Sequence, residues 1–576
     1  MKLRAGGLIV ATLGWAGCVA AGVVEERPEP SVDVDGGPVL VDENEAGGPC
    51  ETRCSADLRS VDDCKGNVVQ ACSPDEGCLN SACVPACAAA EGAQGTLGCD
   101  FYVAPMAFQR WFSSQQSGTC VAAMIANGGG TPVSVTISRN GAPIDVADRG
   151  RIPRTRAGTV AYEPLPPDGK IPSDAVAIFF LQQTAEGVCP GPALVTGPML
   201  QGTGFGDAYR IETSHPVSAY SVLPALTTNV TLSLLYPAAS WGTSYVAVVG
   251  EPADRERPFM YLEDEETSIV LVAKEDTTVI VTPSKDLVGK PGAGVRSVAA
   301  GSPRHFELAA GTTLQLSQRE NLSGTVVNAD KPIGLLTGST WYQQTSRHQQ
   351  LAPVRATGHR YAAVRPRDRE APFPEKHGWR FVGMVDGTKL VYHPSAPVDA
   401  PVELKRGEVV EIETGDRFVV ESQDAEHPFA LLEGTRRAVG TVFLTGVLFE
   451  SVPAVSLDQL VSSQLLYTVP GFTVGHLVVV READAGGAFH AVELDCLGPI
   501  TGWQTIDEAG RYQYALVDTP RFDYEKQQSY CDLGRRSLRS DGPFGVTVWG
   551  WSGASYYAYP AATGLRVVNN VSVSVQ

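Results

Sequence analysis

Long apolar runs are scarce in this sequence. Past residue 18 no stretch of about eighteen apolar residues occurs, which excludes a hydrophobic transmembrane helix downstream. Helical periodicity is nearly missing too, and Leu457–Leu466 (LDQLVSSQLL) is the one stretch that predicts a helix. Charged residues make up only 19%, and the balance is acidic, with a net charge of −19. A chain of that sign repels nucleic-acid phosphates and anionic lipid surfaces, so neither is an expected partner. The acidic excess reads instead as the solubilising charge of a large exported β protein.

Catalytic motifs are missing as well. There is no H-E-x-x-H, and Gly550-Trp551-Ser552-Gly553 is not the G-x-S-x-G of a nucleophile elbow. Gly202-Thr-Gly-Phe-Gly206 lacks the spacing of a dinucleotide loop, and no βαβ pattern surrounds it. Of the nine histidines, His215 and His427 precede prolines at places where Lys331 and Gly542 stand in equivalent segments. A metal ligand does not exchange with lysine or glycine, so these are turn residues, and no histidine pair has ligand spacing. The acidic run Glu263-Asp264-Glu265-Glu266 has oxygen ligands for calcium but not the alternating spacing of a calcium loop, and reads as a solvated turn. The expectation is a chain with no catalytic residues, no metal and no cofactor.

What the sequence does contain is repetition. Short segments rich in Val, Ile, Thr and Leu, separated by Gly, Asp and Pro, predict antiparallel strands throughout. Pro332-Ile-Gly-Leu-Leu has counterparts at Pro216-Val-Ser-Ala-Tyr, Pro428-Phe-Ala-Leu-Leu and Pro543-Phe-Gly-Val-Thr, at spacings of 116, 96 and 115. Pro237, Gly242 and Tyr245 return as Pro353, Gly358 and Tyr361, all 116 residues later. The Leu308-x-x-Gly311 turn returns as Leu404-x-x-Gly407, with looser counterparts near Gly158 and Gly510. Several features in one order at one period mean internal repeats. The predicted fold is all-β: four tandem diverged antiparallel units at about 98–230, 231–345, 346–460 and 461–566. About seven strands in about 115 residues suit one sandwich per unit, with a closed propeller-like ring as the alternative. Each repeat proline is expected to open a strand. Apolar hairpins are expected at 119–137, 268–283, 379–394 and 475–496, with the glycines at 128–130 as the turn of the first.

The front of the chain is organised for export. Lys2 and Arg4 precede an apolar run that ends Trp15-Ala16-Gly17-Cys18, a signal-peptide layout with a lipobox-like end. Cys18 is the candidate lipidation site. The alternative is an ordinary signal peptide cut nearby and a secreted product. Residues 19–49, rich in Pro, Gly and acids, read as a disordered tether.

Twelve cysteines remain, an even number that suits disulfides in an exported chain. Seven lie close together: Cys50, Cys54, Cys64, Cys72, Cys78, Cys83 and Cys87. They define a disulfide-rich module at 50–97, where cross-links substitute for a core. Zinc is the rival reading, but paired C-x2-C knuckles are missing. Seven is odd, so one of them pairs outside the module, and Cys99 is the nearest partner. Cys120, Cys189, Cys496 and Cys531 lie in the β region, and a Cys496–Cys531 bond would close the last unit.

Trp241-Gly242-Thr-Ser-Tyr245, the LVAKEDTTVIVTP segment, Gly324-Thr-Val-Val-Asn-Ala-Asp330-Lys331-Pro332 and Ser555-Tyr-Tyr-Ala-Tyr559-Pro560 resemble the N-terminal domain of IgGFc-binding proteins. The resemblance spans about residues 98–566 and implies a repeat architecture and a general binding role. Similar domains in bacterial surface proteins follow lipoprotein signals and small Cys-rich modules, the layout seen here. It places no Fc-binding residues on this chain. The expected function is therefore a surface-anchored, non-catalytic binding or adhesion protein with a protein or glycan ligand. The membrane is reached only through the lipid. A structural component of the envelope or matrix is the alternative, and a secreted carbohydrate-active enzyme lies outside both. Trp549, Trp551, Tyr556 and Tyr557 are the candidate ligand-stacking residues, against the alternative that they form core and cross-strand pairs.

Overall fold

A computed structural model describes residues 52–55, 57–106, 119–156, 159–223, 231–250, 266–341, 345–368, 375–438, 447–470, 472–523, 528–552 and 555–573. The signal segment, Cys18, the tether, Cys50 and the acids 263–265 lie outside these residues.

Four units share one strand plan. The first runs from an opening strand β1 (Gly98–Val103) through a long strand β2 (Tyr209–Leu223) to a closing strand β3 (Thr231–Leu234). The second has β4 (Gly242–Val246), β5 (Val326–Trp341) and β6 (Thr345–Gln350) in those places. In the third, the opening strand β7 (Arg360–Ala363) is followed by a long strand broken into β8 (Phe418–Ser422) and β9 (Phe429–Ala438), then β10 (Val447–Pro453). The fourth has β11 (Val461–Thr468), β12 (Gly534–Ser552) and β13 (Ser555–Pro560). Because β3 pairs back on β2, the first unit extends past residue 230, where the sequence pattern alone would divide it.

Each unit is a two-sheet sandwich hinged on its long strand. The first half of β5 pairs with β4 and with Thr277–Thr282, while its second half pairs with Thr267–Ala273 and β6. Likewise the first half of β12 pairs with β11 and its second half with β13. The chain therefore turns a corner from one sheet into the other within a single strand.

The repeat prolines mark that corner. The residue after each proline meets the start of the opening strand: Val217 pairs with Gly98, Ile333 with Gly242 and Phe544 with Val461, and Phe429 N–H donates to Gly358 O. The four prolines are thus structurally equivalent. Only Pro428 directly precedes a strand, however, whereas Pro216, Pro332 and Pro543 lie inside long ones. A proline cannot donate to a ladder, and the register shifts beside it release the strand from one sheet so that it can join the other.

The expected hairpins are also revised. Thr267–Ala273 and Thr277–Thr282 do not pair with each other; each joins a different half of β5. Their tight turn carries the chain between sheets, and the glycines at 128–130 lie in the equivalent connection of the first unit. A hairpin and such an arch have the same local sequence, strand–turn–strand, so pattern cannot separate them. The helix expectation changes too. Leu457–Gln459 is a single 3-10 turn followed by β11, and the one α-helix among the described residues is α1 (Ala86–Ala93) in the Cys-rich module. The turn glycines Gly311, Gly407 and Gly510 do correspond, with φ of +78°, +71° and +69°.

One hydrogen bond recurs at the corners. Tyr245 Oη donates to Ile333 O at 2.6 Å, Tyr361 Oη to Phe429 O at 2.8 Å, and Gln464 Nε2 to Phe544 O at 2.9 Å. In each case the donor sits on the opening strand and the acceptor directly follows the repeat proline. The Tyr245 hydroxyl also accepts from Gly242 N–H at 3.0 Å.

The units close into a cycle. One apolar cluster joins Phe101 and Val103 of the first unit to Trp241 and Leu336 of the second. Others join Tyr245 to Leu432, Val452 to Trp549, and Leu477 and Tyr559 back to Tyr220 and Leu234 of the first unit. The closing strands β3, β6, β10 and β13 contact one another in the same cyclic order. At the seams a Cβ on Gly98 or Gly242 would lie 2.5 Å from the ring of Pro237 or Pro353, so only glycine permits this approach. We expect Tyr245→Phe to leave the Ile333 carbonyl and Gly242 amide unsatisfied and to cost about 1–3 kcal/mol, read by urea denaturation.

Candidate functional site

The Cys-rich module is small and cross-linked. A three-stranded sheet and the hairpin Glu76–Leu79/Ala82–Pro85 lead into α1. The hairpin turns at Asn80 and Ser81, both in the left-handed region with φ of 50° and 60°. Cys54 bonds Cys78, Cys72 bonds Cys83, and Cys64 is also disulfide-bonded. The Cys87–Cys99 bond joins α1 to β1 and fixes the module to the first unit. Cys120–Cys189 and Cys496–Cys531 lie within the first and fourth units.

Between this module and the units runs a groove of about 730 Å³. That is the scale of ligand sites, which run to about 300–1,000 Å³. Three pieces of chain build its walls. From the module come Arg59 and the small α1 residues Ala86, Ala90 and Ala93, spaced to share one helix face. The first unit supplies the Gly128–Gly130 connection and Pro216 and Ser218 of the corner in β2. The fourth supplies Leu460–Leu465 along β11, with Arg535, Ser537 and Arg539 of β12.

Its charge differs from that of the chain. Four arginines (Arg59, Arg535, Arg539 and Arg566) line it against three carboxylates, Asp57, Glu76 and Asp541. Arg59 lies over the glycine connection and donates to Gly128 O at 3.3 Å, a position that a side chain at Gly130 would crowd. Arg535 is held by Asp174 at 2.6 Å, and Arg539 makes a loose, exposed pair with Asp57 at 3.7 Å. His215 bonds Asp75 of the module at 3.0 Å, a pair that ties two walls together.

The sequence profile of the family described as IgGFc binding protein matches residues 231–550, which is 320 of the 576 residues. The chain belongs to the IgGFc-binding protein family. No curated protein matches it. The family match begins at β3 and ends within β12, so it takes in the fourth-unit wall of the groove. The module and the Gly128–Gly130 connection fall outside the match, and the groove exists only where the two parts meet.

The aromatic candidates are placed elsewhere. Trp549 and Tyr557 are buried, at 3% and 0% exposure, so neither can stack on a ligand. Trp551 is covered by the Arg367 guanidinium, 5.0 Å from its ring centroid, at the seam of the third and fourth units. Arg367 Nε donates to Asp518 at 2.8 Å, and His476 Nδ1 lies 2.6 Å from the same carboxylate. The side chain of Tyr556 lies outside the described residues. The alternating Trp549 and Trp551 resembled a binding stripe, but they sit on a strand covered on both faces. The groove itself left no signal in sequence, because it is assembled from segments hundreds of residues apart.

Two buried carboxyls lie at that same seam. Glu433 and Glu450 are 3% and 2% exposed and share one sheet face, with Glu433 opposite Val452 and Thr435 opposite Glu450. Beside Glu433 and Trp379 is a cavity of about 20 Å³, room for about one water and not for a sugar ring. Burial pushes the Glu433 carboxyl well above the usual carboxylate range, against a smaller opposing pull from Arg365. A raised carboxyl means that the unfolded chain ionises first. Stability therefore falls as pH rises from the unfolded value of about 4.3 toward the raised folded value. Glu433→Gln should raise the melting temperature at pH 8 and change it little at pH 4, as read by thermal melts.

Proposed function

We propose that this protein is a non-catalytic binding protein held at the cell surface, with its ligand in the groove between the module and the first and fourth units. The observation that carries this is the groove itself, built on the family's β-repeat region and completed by a module that disulfides fix in place. A rigid, partly arginine-lined cleft is suited to recognition, since its walls lose little freedom when a partner binds. Family membership supports a binding role. The buried Glu433 at the other seam faces a space too small for a saccharide, which weighs against the carbohydrate-active alternative. The ligand class is a protein or glycan.

The signal layout supports export with lipid on Cys18, and the acidic segment at 19–49 would then hold the folded part away from the membrane. Replacing Cys18 with Ser should move the protein from the membrane fraction to the soluble exported fraction. Unchanged membrane association in that variant would refute lipid anchoring. For the groove, the full exported chain should capture a ligand from serum, mucus or envelope fractions, and Ser463→Trp should weaken capture at least tenfold without lowering the melting temperature. Undiminished capture would place the ligand elsewhere.

A further inference from the structure

The groove wall formed by β11 is an open sheet edge. Among the described residues β11 has one sheet neighbour, β12, and the equivalent opening strand β7 has its edge closed by the segment that leads into the next unit. Arg360 N–H on β7 donates to Asp458 Oδ2 at 3.3 Å, and Arg360 O accepts from Ser456 Oγ at 3.1 Å. Counting from the corner pairs Gly358–Phe429 and Val461–Phe544, the residue of β11 equivalent to Arg360 is Ser463.

The alternation of the ladder decides where Ser463 points. Leu465 O accepts from Tyr220 Oη at 3.3 Å, while Tyr467 N–H donates to Tyr559 Oη and Tyr467 O accepts from it. Residues 465 and 467 thus turn their main-chain groups away from β12. In an antiparallel pair both groups of one residue point to the same side, and the side alternates along the strand. Two places before Leu465, Ser463 turns its N–H and C=O away from β12 as well. The Tyr220 hydroxyl serves Leu465, whereas Ser463 lines the groove, whose first-unit wall is made of small residues such as Gly128, Gly129 and Ser218 together with Pro216.

A second observation points the same way. Gln464 also lines the groove and is 2% exposed. Its Nε2 serves the Phe544 carbonyl, but its Oε1 is buried without a partner. In the second unit the corresponding hydroxyl of Tyr245 accepts from Gly242 N–H, so the fourth unit has a spare acceptor where the second has none.

We propose that the groove binds an extended polypeptide segment, which adds to β11 as a further strand through Ser463. This rests on the groove being the binding site and narrows its ligand to protein. An open edge with one outward donor and acceptor per two residues matches a peptide backbone, whereas a glycan has no such repeat. About 730 Å³ accommodates a short extended segment, and small residues at 128–130, 218 and 463 leave room for its side chains.

The test uses a random decapeptide display library panned against the full exported chain. Enriched peptides are resynthesised with N-methyl groups on alternate residues. Strand addition predicts at least a tenfold loss when one alternating set is methylated and little change with the other. Ser463→Pro, which removes the outward N–H at an edge position where proline is tolerated, should weaken binding at least tenfold, while Ser463→Ala should not. Failure to enrich peptides, equal sensitivity to both methylated sets, or full binding by a folded Ser463→Pro variant would overturn the proposal. The N-methyl comparison uses the unaltered protein and decides the matter even if Ser463→Pro fails to fold. Capture from biological fractions that Ser463→Trp abolishes, with no peptide binding, would keep the groove and reject the peptide.

Discussion

The fold depends on satisfying a buried carbonyl at the corner of the second, third and fourth sandwiches. Where the long strand leaves one sheet for the other, the ladder is interrupted and the proline supplies no donor. The next carbonyl would be left buried without a partner, at a cost of about 1–3 kcal/mol. Tyr245, Tyr361 and Gln464 each donate to it from the opening strand. That bond fixes the opening strand across the corner, and the start of that strand is where the next unit packs. The first unit has Phe101 at this place, and its opening strand is held instead by the Cys87–Cys99 bond and by Arg210 on Asp100 at 2.9 Å.

From the corner the consequences run outward. Glycines at the first two opening strands admit Pro237 and Pro353, so the second unit seats closely on the first and the third on the second. Apolar clusters then span every seam, and the last returns to the first through the edge-to-face pair Tyr220–Tyr559, with centroids 5.4 Å apart. The same geometry that closes β7 against its neighbour leaves β11 open, because the unit after the fourth is the first, and its approach is shared with the Cys-rich module. The groove is the space left where three pieces rather than two meet. Its position follows from the closure of the cycle, and its chemistry from Arg59, Ser463 and Gln464, which happen to border that space.

Some of this was legible in the residues. The period of the prolines and of Pro237, Gly242 and Tyr245 identified the repeats, because the same corner must be built four times with the same local chemistry. The odd count of seven cysteines from Cys50 to Cys87 pointed to a partner outside the module, and the structure pairs Cys87 with Cys99. Other features misled. LDQLVSSQLL has apolar spacing that suits a helix, yet it forms a turn and a strand, because pairing with β12 outweighs a weak local preference. Strand–turn–strand segments looked like hairpins, since nothing local reveals which sheet the second strand will join.

By itself the sequence determined the strand content, the fourfold repeat and the cross-linked module, because these are set by composition, period and cysteine spacing within about a hundred residues. Only the tertiary structure decided that Trp549 and Tyr557 are core, that Glu433 is buried beside Trp379, and that Gly129, Ser218 and Ser463 border one groove. Burial and adjacency depend on which faces meet when the units close. Residues brought together from 57 to 566 share no pattern along the chain that could announce it.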